Sequence, residues 1–193
     1  MKKSLHFLLV ALVAIVTTAV YAGERIGDFA LIDNQGAQHH MAWYDDQNAV
    51  VILPQAVGAT DTEALAAFQD LEANFAEQGV VFFLMNPGVQ TDREAVTADI
   101  AALGVDYPVL MDDAQLATEA LGLTRLDEVV VYNPKSFEMV YRGSTDAELA
   151  TSIQLLLDGA DDSLVTVATD GATINLTGPG SDNVPSTSRM LLL

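Results

Sequence analysis

The stretch Val50–Leu71, VVILPQAVGATDTEALAAFQDL, passes from an apolar run through a short loop into an amphipathic helix. The run Ala49–Leu53 has no polar position, as expected of a strand covered on both faces in the middle of a sheet. Leu65, Phe68, Leu71 and Phe75 then recur at helical spacing. Thr60–Glu63, TDTE, fits the capping box that opens such a helix. The loop between strand and helix reads Pro54, Gln55, Ala56, Val57, Gly58, Ala59, and the 193 residues include no cysteine.

The same helix-opening phrase recurs as TDRE at Thr91–Glu94 and TDAE at Thr145–Glu148. In each box the Thr hydroxyl is expected to accept the N3 backbone N–H, and the Glu to reach back to the N-cap N–H. Val96, Ile100 and Leu103 follow the second phrase, and Leu149, Ile153 and Leu156 the third, at helical spacing. Gly79, Gly104 and Gly159 stand where a left-handed residue ends a helix. Val80–Met85 is a second continuous apolar run. Glu128–Tyr132 and Glu138–Arg142 flank the turn signal NPKS and predict an antiparallel hairpin. A small hairpin is predicted around Asn34–Gly36, and a shorter helix over Asp113–Leu121, ended by Gly122. The order is hairpin, β, α, β, α, short α, β, β, α. Right-handed crossovers make the β-α-β pairs parallel, and the closing hairpin adds an antiparallel edge. The fold class is α/β, a three-layer sandwich with a mixed central sheet. Beyond Gly159, LVTVATDGATINLT alternates around Asp170-Gly171 and has the pattern of a hairpin. The GPGSDNVPSTSR that follows is predicted to be mobile.

The first residues read as a secretory signal peptide over 1–22: Lys2 and Lys3, an apolar core Phe7–Val16, and small residues at Val20 and Ala22. The alternative is an uncleaved anchor. The run is short for a spanning helix, and no basic stop-transfer cluster follows it. The chain divides into this leader, a domain over 23–159 and a tail over 160–193. The expected location is the periplasm or the medium, with no membrane attachment after cleavage. The net charge is −19, and loss of the positive Lys2 and Lys3 takes it to −21. Such acidity argues against nucleic acid, whose phosphates need cationic neutralisation, and against anionic membranes. It fits a cationic partner or a solubilising surface. Export permits disulfides, yet without cysteine the core must hold itself by packing.

The element order and five phrases in it resemble the thioredoxin-like fold. More narrowly, they resemble the redoxin family of alkyl hydroperoxide reductase and thiol-specific antioxidant proteins, related to peroxiredoxins. RIGDFALIDNQGAQHHM resembles that family's opening hairpin. AVVIL with FQDLEANFAEQGVVFFLMNP resembles its first strand, long helix and second strand. YPVLMDDAQLATEALGLTR is similar to its FPVLxD stretch, and VVVYNPKSFEMVYRGSTD to its closing hairpin. The likeness runs from Arg25 to Asp158. It implies a thiol peroxidase or oxidoreductase whose cysteine lies near the start of the first long helix, where N–H groups and the helix dipole stabilise a thiolate. That point falls at Gly58–Asp61, with Ala59 nearest. Thr60 is adjacent, but no general base is in view to activate it. The resemblance also implies a cis-proline before the third core strand, in a loop that presents backbone to substrate. Here Leu126-Asp127 occupies that place, and a trans bond is expected because a cis non-proline bond costs about 3 kcal/mol.

Thiol chemistry needs sulfur that can ionise. The expectation is therefore a pseudoenzyme: a non-catalytic binding or scaffolding module, with no cofactor, whose partner is another exported protein. The candidate groove is Gln55, Gly58, Ala59 and Thr60 with Arg125, Leu126 and Asp127. Arg125 is one of few cations, and its alternative role is a salt bridge to a nearby acid. A second reading is a copper-binding protein using His39, His40 and Met41, since imidazole and thioether suit that metal. Against it, adjacent strand residues point to opposite faces. Met85, Met111 and Met139 are expected in the core. The acidic pairs Asp45-Asp46, Asp112-Asp113 and Asp161-Asp162 lack calcium-loop spacing, and Asp112-Asp113 reads as a helix cap.

Overall fold

The computed structural model of the chain describes residues 24–58, 62–89, 91–160 and 163–177. The expected leader, Ala59, Thr60, Asp61, the pair Asp161-Asp162 and the tail beyond Thr177 lie outside the described residues. The strands are β1 Ala30–Asp33, β2 Gln38–His40, β3 Ala49–Pro54, β4 Val80–Asn86, β5 Val109–Met111, β6 Val129–Asn133, β7 Glu138–Gly143 and β8 Val165–Thr166. The helices are α1 Thr62–Phe75, α2 Arg93–Leu103, α3 Leu116–Ala120 and α4 Ala147–Leu157. Among the described residues no helix is long and apolar enough to cross a membrane.

The strands form one mixed sheet in the order β2-β1-β5-β4-β3-β6-β7-β8. β3 pairs with β4, and β4 with β5, in parallel, as the crossovers through α1 and α2 require. β6 lies antiparallel to β3 and to β7. Every residue of β3 is buried, because both faces of the sheet are covered. Val51, Leu53, Phe82 and Leu84 meet α1, α2 and α4 through Leu65, Phe68, Val96, Ile100, Leu149 and Ile153. Val50, Ile52, Phe83 and Met85 face the other way, onto Ala117 of α3, Met41 and Ile174. Met85, Met111 and Met139 are all buried, so the three-layer expectation is met. Phe68 takes Phe82 and Tyr107 edge-on at centroid distances of 5.3 and 5.5 Å, a favoured aromatic geometry.

Four details differ from the sequence expectations. The N-cap of α2 is Asp92 and that of α4 is Asp146, each accepting the backbone N–H two residues on; Thr91 and Thr145 stand one position outside. A carboxylate satisfies the orphan donors of the first turn as a hydroxyl does, and adds charge favourable to the helix dipole. β5 has only three residues, too short to show a period. α3 begins at Leu116 rather than Asp113, after Gln115 in the left-handed region at φ 56°. Its cap function is still met from Asp112, whose buried carboxylate accepts from Thr118 N and Thr118 Oγ1 at 2.7 Å each. Finally, the alternating segment after Gly159 does not fold on itself among the described residues. β8 pairs in parallel with β7, and Thr173 bridges to Arg125.

Candidate functional site

β3 and β4 run parallel and end side by side at Pro54 and Met85. The chain leaves β3 through Gln55–Gly58 and β4 through Pro87–Val89, so both loops gather beyond the same end of the sheet. The loop before β6 joins them there: Asp127 N donates to Pro54 O at 3.4 Å. Between these loops lies a cavity of about 300 Å³, lined by Ala56, Pro87, Val89, Gln115, Leu126 and Ile174 among others. Ligands of open α/β sheets commonly bind outside the carboxyl ends of the strands.

Only part of the expected groove converges on this cavity. Leu126 lines it. Gln55 and Gly58 turn away toward α2: Gly58 N donates to Asp99 Oδ2 at 3.0 Å, and Gln55 is buried beside Asn86, Val96 and Asp99. The Gln55 Nε2 has no hydrogen-bond partner among the described residues. Ala59 and Thr60 lie outside the described residues. No cis peptide bond occurs among the described residues, and Asp127 sits in the left-handed region at φ 65°. Arg125 neither lines the cavity nor forms an ion pair among the described residues; its Nη1 donates to Gly171 O at 2.9 Å.

The loop Thr124–Glu128 is held from inside by Glu128, whose buried carboxylate accepts Thr124 N at 2.8 Å and Arg125 N at 3.2 Å. This leaves Thr124 O and Leu126 N facing outward. Both are taken by the C-terminal segment. Leu126 N donates to Ala172 O, and Ile174 N to Thr124 O, at 2.8 Å each. Gln115 secures the end of that segment through bonds from its Nε2 to Asn175 O at 3.0 Å and from Thr177 N to its Oε1 at 2.6 Å. The same Nε2 donates to Pro87 O at 2.8 Å. Sequence reasoning missed Gln115, Pro87, Val89 and the 171–177 segment as parts of this site. The one available signal is the alternation of Ile174 and Leu176, a pattern that a hairpin shares.

The metal candidates do not meet at one point. His39 sets Nε2 against Asp33 Oδ2 at 2.9 Å and Nδ1 against the Tyr44 hydroxyl at 2.7 Å, so both ring nitrogens are engaged. His40 takes Asp28 at 2.6 Å, and Met41 is fully buried. Among the described residues no group of three or more His, Asp or Glu side chains is placed to hold a metal ion. Burial alone pushes the Asp33 carboxyl up, but the His39 hydrogen bond and the N–H groups of Ala37 and Gln35 outweigh it and hold it below the ordinary carboxylate value.

No protein-family model and no curated protein matches the chain. Solved structures do. A hypothetical protein from Sinorhizobium meliloti 1021 superposes with a TM-score of 0.68 at 22% identity, over 81% of this chain and 94% of that one. A putative protein disulfide isomerase from Bacteroides thetaiotaomicron gives 0.59 at 18% identity, over 72% and 92%. Peroxidoxin BcpB from Mycobacterium tuberculosis gives 0.57 at 18% identity, over 72% and 97%. The chain therefore has a thioredoxin-like fold without cysteine.

Proposed function

We propose that the chain is an exported, non-catalytic module of thioredoxin-like fold that binds another exported protein at the loop cluster beyond β3 and β4. One observation carries this reading: a cavity of about 300 Å³ opens at the carboxyl end of the sheet, in a chain whose sequence holds no cysteine. Without a thiolate the site has no nucleophile for disulfide exchange or peroxide reduction. It keeps concave shape, an apolar lining from Ala56, Val89, Leu126 and Ile174, and one buried polar side chain, Gln115. The net charge of −19 favours a partner with a basic face, through faster encounter rather than tighter contact.

The test is capture from an exported-protein extract, with the chain beside an Ala56→Trp variant that fills the cavity. A basic protein retained by the chain and lost from the variant, with unchanged circular dichroism, supports the reading. A partner retained equally by both moves the contact to the acidic surface. Export is checked by sequencing the N-terminus of the mature protein, where cleavage after Ala22 is expected.

A further inference from the structure

The segment Gly171–Thr177 occupies the loop cluster as a guest would. Its path starts beside β7, where Val167 N donates to Arg142 O at 2.9 Å. It turns at Asp127, whose Oδ1 accepts from the Thr169 hydroxyl at 2.6 Å, and then runs antiparallel to Thr124–Leu126. From there it passes along Gln115 and forms one wall of the cavity. Almost every polar contact that holds it is to its main chain: Ala172 O, Ile174 N, Gly171 O, Asn175 O and Thr177 N. Ile174 is buried, and Leu176 packs against the same cluster, two residues on. Ala172, Thr173, Asn175 and Thr177 are exposed. This is recognition by added strand, where main-chain bonds supply affinity and alternate side chains supply specificity. Little of it depends on which sequence is seated, beyond an apolar pair at alternate positions. The seat is also shallow in the sheet, a single bridge outside the named strands, and segments with few buried side chains open at the low end of the stability range.

We propose that Gly171–Thr177 is an exchangeable strand that occupies the outward backbone edge of Thr124–Leu126, so that a partner's extended segment docks there only when it leaves. The proposal rests on the binding reading above and names its regulation. The incoming segment carries an apolar residue at the place of Ile174, another at the place of Leu176, and no proline where Ile174 and Thr177 donate.

The test uses a labelled synthetic peptide of residues 170–177 as probe, titrated onto three proteins. In Gly171→Val the added side chain would overlap Asp127 Oδ1 and the Leu126 carbonyl oxygen, which forces the segment off its seat. Arg125→Cys/Thr173→Cys, in a chain with no other cysteine, locks it down. The bonds flanking this pair make it a non-hydrogen-bonded one, whose Cα atoms lie about 4.5 Å apart, within disulfide reach. The Gly171→Val protein should take the peptide one-to-one. The unaltered chain should take it about tenfold more weakly or worse, because its own segment competes at an effective concentration on the order of millimolar. The oxidised cysteine pair should take none, and reduction should restore binding at least as tight as that of the unaltered chain, because the reduced pair also lacks the Arg125 bond to Gly171 O. Hydrogen exchange at the Leu126 and Ile174 amides reports whether the seat is empty. If Gly171→Val binds no better than the unaltered chain, the proposal is overturned, whether those amides are exposed (an empty edge refuses a strand) or still protected (the segment is fixed structure). The probe is the chain's own segment, so a failed capture of a partner leaves this result standing, and the reverse holds too.

Discussion

The Thr177 N–H donates to Gln115 Oε1 at 2.6 Å across sixty-two positions of sequence. Gln115 is a buried residue in the left-handed region, and its amide joins three parts of the chain: the loop after β4, the start of α3 and the C-terminal segment. Replacing it with Ala removes the bonds to Pro87 O, Asn175 O and Thr177 N at once. The expected loss is about 1–3 kcal/mol, chiefly the cost of leaving the buried Pro87 carbonyl unmet, since Asn175 and Thr177 are exposed and can turn to water. Urea unfolding measures it, and faster amide exchange at Thr177, with α1 unchanged, locates it.

The helix caps separate two adjacent residues cleanly. Asp92→Ala and Asp146→Ala should each cost about 1 kcal/mol, because each carboxylate accepts the N–H of the following glutamate position, Glu94 at 3.0 Å and Glu148 at 3.1 Å. Thr91→Ala and Thr145→Ala should stay within about 0.5 kcal/mol. Equal losses for the threonines in chemical denaturation would restore the capping box read from the sequence.

Tyr132 is fully buried, and its hydroxyl has no hydrogen-bond partner among the described residues. Burial, with the nearby Asp28 and Tyr44, pushes its ionisation far above the ordinary value. Tyr132→Phe should therefore be neutral or raise stability by about 1 kcal/mol, since it removes an unmet group at constant shape. A clear loss in thermal unfolding would show that the hydroxyl has a partner in solution.

Asp33 links the opening hairpin to acid stability. Its folded carboxyl titrates below the ordinary 3.8, so the unfolded chain binds the proton first. The stabilisation is complete above the unfolded value and is lost as pH falls through the lower, folded one. Stability followed from pH 6 downward should decline below about pH 4. Asp33→Asn should flatten that acid limb while lowering stability at neutral pH, because His39, Gln35 and Ala37 lose a charged acceptor.

Long periodic segments were legible from the residues alone. The runs at β3 and β4 and the spaced apolar positions of α1, α2 and α4 settled the layers, because burial on a regular element writes its period into the sequence. β5 was not legible: Val109–Met111 is shorter than any period it could show, and its place depends on α2 delivering it beside β4. The candidate site was half legible. Leu126 lies where the resemblance put it, but Gln55 and Gly58 face α2. The partners of Ile174 and Leu176 lie on a loop about fifty residues earlier, and alternation says that a segment is extended without saying what it lies beside.

The sheet described above ends in β2 on one side and β8 on the other, three and two residues long. A margin that short offers a neighbouring molecule few free main-chain donors and acceptors to zip against. The charge of −19 keeps like molecules apart before they can try. Concentrated solutions should accordingly stay clear on long storage at neutral pH, and should cloud only where acid has discharged the carboxylates.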